Sequence, residues 1–228
     1  MLAMFAEPVP GAHIIHASLA CSLLDSKQRL TMADHKALSF TATLHLDGCP
    51  LNTFDSFCTG PIILTNPVDG TGAGFDGTRT IGMLNCSDED WQLGQGSGLV
   101  TFGKGDPAEP LVLYFRHFDN GYRLYVRSGK HFGDGVFTTA YGLVNVHPIL
   151  AKDPCLWKVT DADTGECFDL TQCEDTAHEI QLQSEAGHPL EVHYLYPVGG
   201  FLACYPGAHQ GSVTLQIQEP GVDWLDSN

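Results

Sequence analysis

The stretch VLYFRHFDNGYRLYV, residues 112–126, consists of two runs of alternating apolar residues joined by a turn of Asp, Asn and Gly. A second stretch, EIQLQSEAGHPLEV at 179–192, follows the same plan when one gap is allowed. The equivalent positions are Leu113 and Ile180, Phe115 and Leu182, Gly121 and Gly187, Leu124 and Leu190, and Val126 and Val192. Since alternate residues of a strand point to the same face, both stretches are predicted to be hairpins with one buried side.

Each predicted hairpin is continued by further strand-like segments. After a glycine turn comes GDGVFTT in one copy and VGGFLAC in the other, and a fourth apolar segment follows, LWKV or VTLQI. A fainter first copy ends at DWQL, where Trp91 matches Trp157, and both tryptophans are predicted to be core residues. The opening strands of that copy are predicted at Leu19, Cys21, Leu30 and Met32.

The rest of the chain also consists of short β-rich runs separated by glycine and proline, which is typical of an all-β protein. We therefore predict a single all-β domain over residues 1–228, a length that allows a sizeable core. Its approximate repeats are 14–93, 111–159 and 179–217, and residues 41–85 are interpreted as a glycine- and proline-rich insertion in the first repeat.

Three unequal four-stranded repeats resemble a β-trefoil, and the pattern is most similar to fascin-like and lectin-like trefoils, including the cytosolic lectins and protease inhibitors of fungal fruiting bodies. The resemblance covers most of the chain and implies a non-catalytic binding module. The QxW signature of ricin-type lectins is missing, because the corresponding tripeptides are DWQ and LWK. A β-sandwich or jelly roll has similar strand spacing and remains the alternative fold.

The charge of the chain narrows the classes of partner. There are 27 acidic and 11 basic residues, for a net charge of −16, so a polyanion such as nucleic acid or an anionic membrane would be repelled. We find no run of about 20 apolar residues that would span a membrane. The N-terminal sequence has no basic segment typical of a signal peptide, so we expect a cytoplasmic protein whose eight cysteines are free thiols. A secreted, disulfide-bonded protein is the alternative.

Several motif-like segments are better explained by turns, and we expect no cofactor and no bound metal. The GxGxxG pattern at 72–77 precedes a strand-like run instead of a helix, and Lys104 is followed by glycine where a phosphate-binding loop needs Ser or Thr. In the calcium-loop-like segment that begins at Asp161, glycine comes one place early, so an Asx turn is predicted. The acidic run Ser87 to Asp90 is predicted to be a solvated loop.

Candidate binding residues are the aromatic and polar side chains near the predicted turns. A sugar ring stacks its apolar face on an aromatic ring, and Asp, Asn or His hold its hydroxyls. The residues that fit this chemistry are Asp119, Asn120, Tyr122, His131, Phe132, Asp134, Tyr194 and Tyr196. The remaining histidines are interpreted as structural.

These residues favour a carbohydrate-binding, lectin-like module with up to three weak sites, with a protein ligand as the second possibility. Two other classes stay open. One is a metal- or carboxylate-dependent enzyme with its histidines and carboxylates in a β-sandwich pocket. The other is a structural or assembly subunit that forms homo-oligomers.

Overall fold

The computed structural model describes residues 35–65, 74–173 and 175–223, and this part of the chain is all-β. Its strands are β1 (Phe40–Leu46), β2 (Cys49–Pro50), β3 (Asn52–Thr53), β4 (Cys58–Thr59), β5 (Ile63–Thr65), β6 (Gly74–Asp76), β7 (Ile81–Leu84), β8 (Gly103–Lys104), β9 (Val112–Phe118), β10 (Gly121–Val126), β11 (Gly135–Thr138), β12 (Val144–His147), β13 (Leu156–Asp161), β14 (Ala177–Ser184), β15 (Leu190–Leu195), β16 (Gly199–Cys204) and β17 (Ser212–Pro220). Residues 35–37 are helical, and the further helices are α1 (Phe54–Phe57) and α2 (Asp88–Gly96), with 3₁₀ turns η1 (Gly129–His131) and η2 (Leu170–Gln172).

Six antiparallel strands close into a barrel. Strand β1 pairs with β9, β9 with β10, β10 with β13, β13 with β14, and β14 with β17. Strand β17 then pairs with β1 from Phe40 opposite Pro220 to His45 opposite Thr214, which completes the ring. A closed ring has no free edge between its first and last strands, so the fold is a barrel and the β-sandwich alternative is wrong.

The barrel is filled by the inward-facing side chains of these strands. Phe40 and Phe115 stack with ring centroids 4.8 Å apart, and Trp157 is 1% exposed. Ile180 and Leu182 are also buried, as the alternation in the sequence predicted. Val192, which the repeat predicts as a core position of the same hairpin, lies on β15, is only partly buried and packs against this core.

Three strand pairs outside the barrel contact one another. They are β3 with β7, β11 with β12, and β15 with β16. Strand β16 also pairs with β7, Leu143 is bridged to Ala203, and Thr80 is bridged to Asn145. Each pair therefore touches both of the others. Each pair is also formed by residues that lie between two barrel strands in the sequence: β1 and β9, β10 and β13, or β14 and β17.

A second apolar cluster lies beside the barrel, where α1, α2 and the β15–β16 hairpin meet. Its largest members are Phe54, Trp91, Phe102 and Phe201. The prediction that Trp91 is a core residue is confirmed, since it is 7% exposed, but the predicted strand DWQL is wrong.

The segment around Trp91 is helix α2. Ser87 is its N-cap and accepts a hydrogen bond from the Asp90 backbone N–H, and three acidic residues occupy the first turn. Capping and the favourable interaction of acidic residues with a helix N-terminus explain this helix. The interpretation of Ser87 to Asp90 as a solvated loop missed that signal.

The predicted repeat boundaries need correction. The proposed insertion 41–85 contains nearly all of β1, a barrel strand, and β7, which joins the contacts outside the barrel. Residues 111–159 hold one more strand than predicted, because Val144–His147 was overlooked. Residues 179–217 do contain four strands in the predicted order. The opening strands predicted at Leu19 to Met32 lie outside the described residues.

Other local predictions can be compared directly with the structure. The Asx turn is confirmed, because Asp161 Oδ1 accepts hydrogen bonds from the backbone N–H groups of Asp163 and Thr164. The seven cysteines within the described residues are free thiols. In the same part of the chain, no helix is long and apolar enough to cross a lipid bilayer.

Candidate functional site

A large cleft, here called the main cleft, lies where β10 and β13 separate. These strands pair only at Tyr122 with Trp157 and at Arg123 with Leu156, although β13 continues to Asp161. Gly121 makes this junction possible, since a Cβ atom there would lie 2.5 Å from the Trp157 carbonyl oxygen. The cleft that results has a volume of about 670 Å³.

The β9–β10 turn forms one rim of the main cleft. It contains only Asp119 and Asn120, because Phe118 is already paired with Gly121. Asp119 has a φ of +51°, a left-handed conformation that Asp and Asn adopt more readily than most residues. The turn therefore fixes two polar side chains at the mouth of the cleft.

The floor of the main cleft is aromatic. Tyr122, Phe168 and His117 line it, and the rings of His117 and Tyr122 meet edge to face at 5.3 Å. Burial, and to a lesser degree the nearby negative charge of Asp169, raises the pKa of Tyr122. Its phenol is therefore protonated at neutral pH and can donate a hydrogen bond.

The polar rim is available to a ligand. Lys158 and Glu185 face Asp119 and Asn120 among the residues that line the cleft. Within the described parts of the chain, none of these four side chains makes a hydrogen bond or an ion pair. Gln183 donates its amide N–H to the Gly187 carbonyl at 2.9 Å, which leaves its side-chain oxygen as an acceptor.

A smaller concavity of about 470 Å³ adjoins the main cleft and shares its aromatic floor. Cys167 lines both, and Asp169 and Thr171 belong to the smaller one. His117 is held near its entrance by His35, whose Nδ1 lies 2.9 Å from the Nδ1 of His117. The two concavities together form an elongated surface across this side of the barrel.

The second predicted group, at 131–134, has a different character. His131 is 6% exposed, and its Nε2 lies 3.1 Å from Asp55 Oδ2 while its Nδ1 lies 3.3 Å from Asp134 Oδ2. Lys130 pairs with Asp55 at 2.9 Å, and Arg79 pairs with Asp134 at the same distance. We call these five residues the charge network.

The charge network is satisfied internally. Asp55 also accepts a hydrogen bond from the Thr53 hydroxyl at 2.7 Å. Burial alone would raise the pKa of the Asp55 carboxyl, but hydrogen bonds from Thr53, Lys130 and His131 outweigh burial and lower it. Asp55 and Arg79 belong to the β3–β7 connection, residues 54–80, and the other members lie in or beside η1. The network therefore fastens the connection to the η1 turn.

The other predicted residues are exposed aromatics away from the main cleft. Phe132 is 58% exposed, Tyr194 is 55% exposed and Tyr196 is 85% exposed. The Tyr194 hydroxyl donates to Asp47 at 3.3 Å across the β1–β2 turn. Of the eight residues predicted from sequence, only Asp119, Asn120 and Tyr122 meet in the main cleft.

Sequence reasoning did not select four other residues that line the cleft: Lys158, Phe168, Gln183 and Glu185. Lys158 and Gln183 are paired across β13 and β14. The polar positions of the alternating segments LWKV and EIQLQ could have identified them as outward-facing residues, but their convergence on the β9–β10 turn follows only from closure of the barrel.

Within the described ranges, no three His, Cys, Asp or Glu side chains are grouped so that they could hold a metal ion. Comparison with known proteins finds no match. No family model fits the chain, and no curated protein or solved structure is significantly similar to it. A functional proposal therefore depends on the chemistry of the cleft.

Proposed function

We propose that this protein is a non-catalytic carbohydrate-binding module and that its main cleft is the saccharide site. The observation that carries the proposal is the combination of an aromatic floor with a rim of uncommitted polar side chains. A sugar has an apolar face that stacks on aromatic rings and hydroxyls that hydrogen-bond to carboxylates, amides and ammonium groups.

The roles within the cleft follow from these groups. Tyr122 and Phe168, which are 3% and 8% exposed, form an apolar floor beneath a pyranose ring. Asp119 accepts hydrogen bonds from sugar hydroxyls, and Lys158 donates to hydroxyl or ring oxygens. The volume of about 670 Å³ is within the range of small-molecule sites and suits a short oligosaccharide.

We also propose that the fold is a β-trefoil, with units that differ from the repeats predicted in the sequence. The first unit runs from β1 to β9, the second from β10 to β13 and the third from β14 to β17. Each supplies two barrel strands and one of the mutually contacting strand pairs, which supports a threefold arrangement. The longer first unit holds α1, α2 and the extra strands between β3 and β9.

The charge network does not favour an enzymatic role for its histidine. Each ring nitrogen of His131 already faces a carboxylate, so neither is available to take a proton from a substrate. The structural role of the network is sufficient to explain its residues.

The test is a glycan array probed at high protein concentration with labelled protein. The proposal expects a defined set of bound glycans, and expects Lys158→Ala to lose at least tenfold in apparent affinity. Lys152→Ala removes an exposed lysine outside the cleft and should bind as the wild type does. Absence of glycan binding by the wild type, or equal loss in both variants, would contradict the proposal.

A further inference from the structure

A further concavity, here called the side pocket, lies between β6 and the β11–β12 turn. Its volume is about 310 Å³, close to the lower limit for small-molecule sites. The residues that define its chemistry are Phe75, Asp76, Arg79, Tyr141, Asn145 and His147. It shares no lining residue with the main cleft.

The side pocket has an exposed aromatic surface. Phe75 and Tyr141 stack with ring centroids 3.9 Å apart and an interplanar angle of 29°. Tyr141 is still 48% exposed, so part of its ring remains open to solvent. A free ring face of this kind can take the apolar face of a ligand.

The backbone around the two rings is held in place. Thr139 Oγ1 accepts hydrogen bonds from the N–H groups of Tyr141 at 3.3 Å and Leu143 at 3.0 Å. On the other side, Asp76 accepts hydrogen bonds from the backbone N–H and the hydroxyl of Thr78. A site whose side chains are already positioned loses less entropy on binding.

Polar groups of different kinds surround the rings. Arg79 is fixed by Asp134 at 2.9 Å, and its side chain is still 36% exposed. Burial, and next the positive charge of Arg79, lowers the pKa of His147, so its imidazole is neutral at neutral pH and can both donate and accept. The Asn145 Oδ1 accepts from the Thr80 hydroxyl at 2.8 Å.

We infer that the side pocket is a second, independent saccharide site that takes a single sugar ring on Tyr141, with Arg79 and His147 contacting its hydroxyls. This inference rests on the proposed function, because it extends the same ligand class to another surface. The two stacked rings of the inferred site come from different segments, since Tyr141 lies in the β11–β12 turn and Phe75 in the β3–β7 connection. Two separate sites would let one molecule cross-link glycan-bearing surfaces.

The experiment is an NMR titration of the ¹⁵N-labelled full chain with the methyl glycosides of galactose, N-acetylglucosamine, mannose and fucose, each in turn. We expect two groups of shifted amides, one near Asp119 and one near Tyr141. Tyr141→Ala should weaken binding at least tenfold at the group of amides near Tyr141 and should leave the group near Asp119 unchanged. Tyr141→Phe keeps the ring and should bind nearly normally. Leu150→Ala removes a 90% exposed apolar side chain that lines neither pocket, and it should change neither group.

The outcomes separate the two proposals. Shifts confined to the main cleft would overturn the second site and leave the proposed function intact. Shifts near Tyr141 that persist in Tyr141→Ala would also overturn it. If no glycoside shifts any amide and the array is also blank, both proposals fail.

Discussion

His131 links two carboxylates, and its replacement by alanine tests how the β3–β7 connection is held. The variant removes contacts of 3.1 Å to Asp55 and 3.3 Å to Asp134. A hydrogen bond to a charged group contributes about 1.5–3 kcal/mol. Both contacts are long, and both carboxylates keep another partner, Lys130 or Arg79. We therefore expect a loss of roughly 2–3 kcal/mol in the free energy of unfolding, which is less than the roughly 3–6 kcal/mol of two bonds at full strength.

For a chain of this length, each kcal/mol lowers Tm by about 2–4 °C, so His131→Ala should melt about 4–12 °C below the wild type. Urea unfolding followed by tryptophan fluorescence gives the free energy, and calorimetry gives Tm. His209→Ala replaces an exposed histidine and should change stability by less than about 0.5 kcal/mol. Equal stability of the two variants would refute the idea that the charge network fastens the connection.

The remaining stability predictions concern Asp55 and two glycines. The pKa of Asp55 is lowered in the folded state, so its contribution is present above its usual value of 3.8 and is lost as pH falls through the folded value. The free energy of unfolding of the wild type should therefore decrease below about pH 4. Asp55→Asn should be less stable than the wild type at pH 7, and its stability should depend less on pH in the acid range, as measured by urea unfolding at several pH values. An unchanged dependence on pH would contradict this. Gly121→Ala should lower the free energy of unfolding by about 1–3 kcal/mol, because the added Cβ would clash with the Trp157 carbonyl. Gly96→Ala lies in a helix with open space around it, and it should raise the free energy of unfolding by up to about 1 kcal/mol. Equal melting temperatures of these two glycine variants would show that the close approach at Gly121 is not real.

Much of the secondary structure could be predicted because alternation carries the information. Ile180 and Leu182 alternate with glutamines, and they lie in a barrel strand with the predicted face buried. Strand β1 is harder to place, since its residues are nearly all buried, polar Thr41 and Thr43 included, and alternation no longer separates two faces. The match of Trp91 to Trp157 predicts a strand, but the cap at Ser87 and the acidic first turn favour the helix that forms there.

The site could be predicted only in part. The β9–β10 turn is local, so Asp119 and Asn120 could be identified from their own hairpin. The burial of His131 depends on Asp55, which is 76 residues away along the chain, and no local pattern indicates that contact. Lys158 is likewise placed beside the turn by strand pairing between distant segments.

The central claim is that saccharides bind in the main cleft, and the most direct measurement is calorimetric titration of Asp119→Gly with the best array glycan. Glycine tolerates the positive φ of this position, so the variant removes the carboxylate without straining the turn. Asp47→Gly is the matched control, because Asp47 has a φ of +50° in another hairpin turn and does not line the cleft. Loss of one charged hydrogen bond predicts at least tenfold weaker binding for Asp119→Gly and wild-type binding for Asp47→Gly. Wild-type affinity in Asp119→Gly, or the same loss in both variants, would contradict the account.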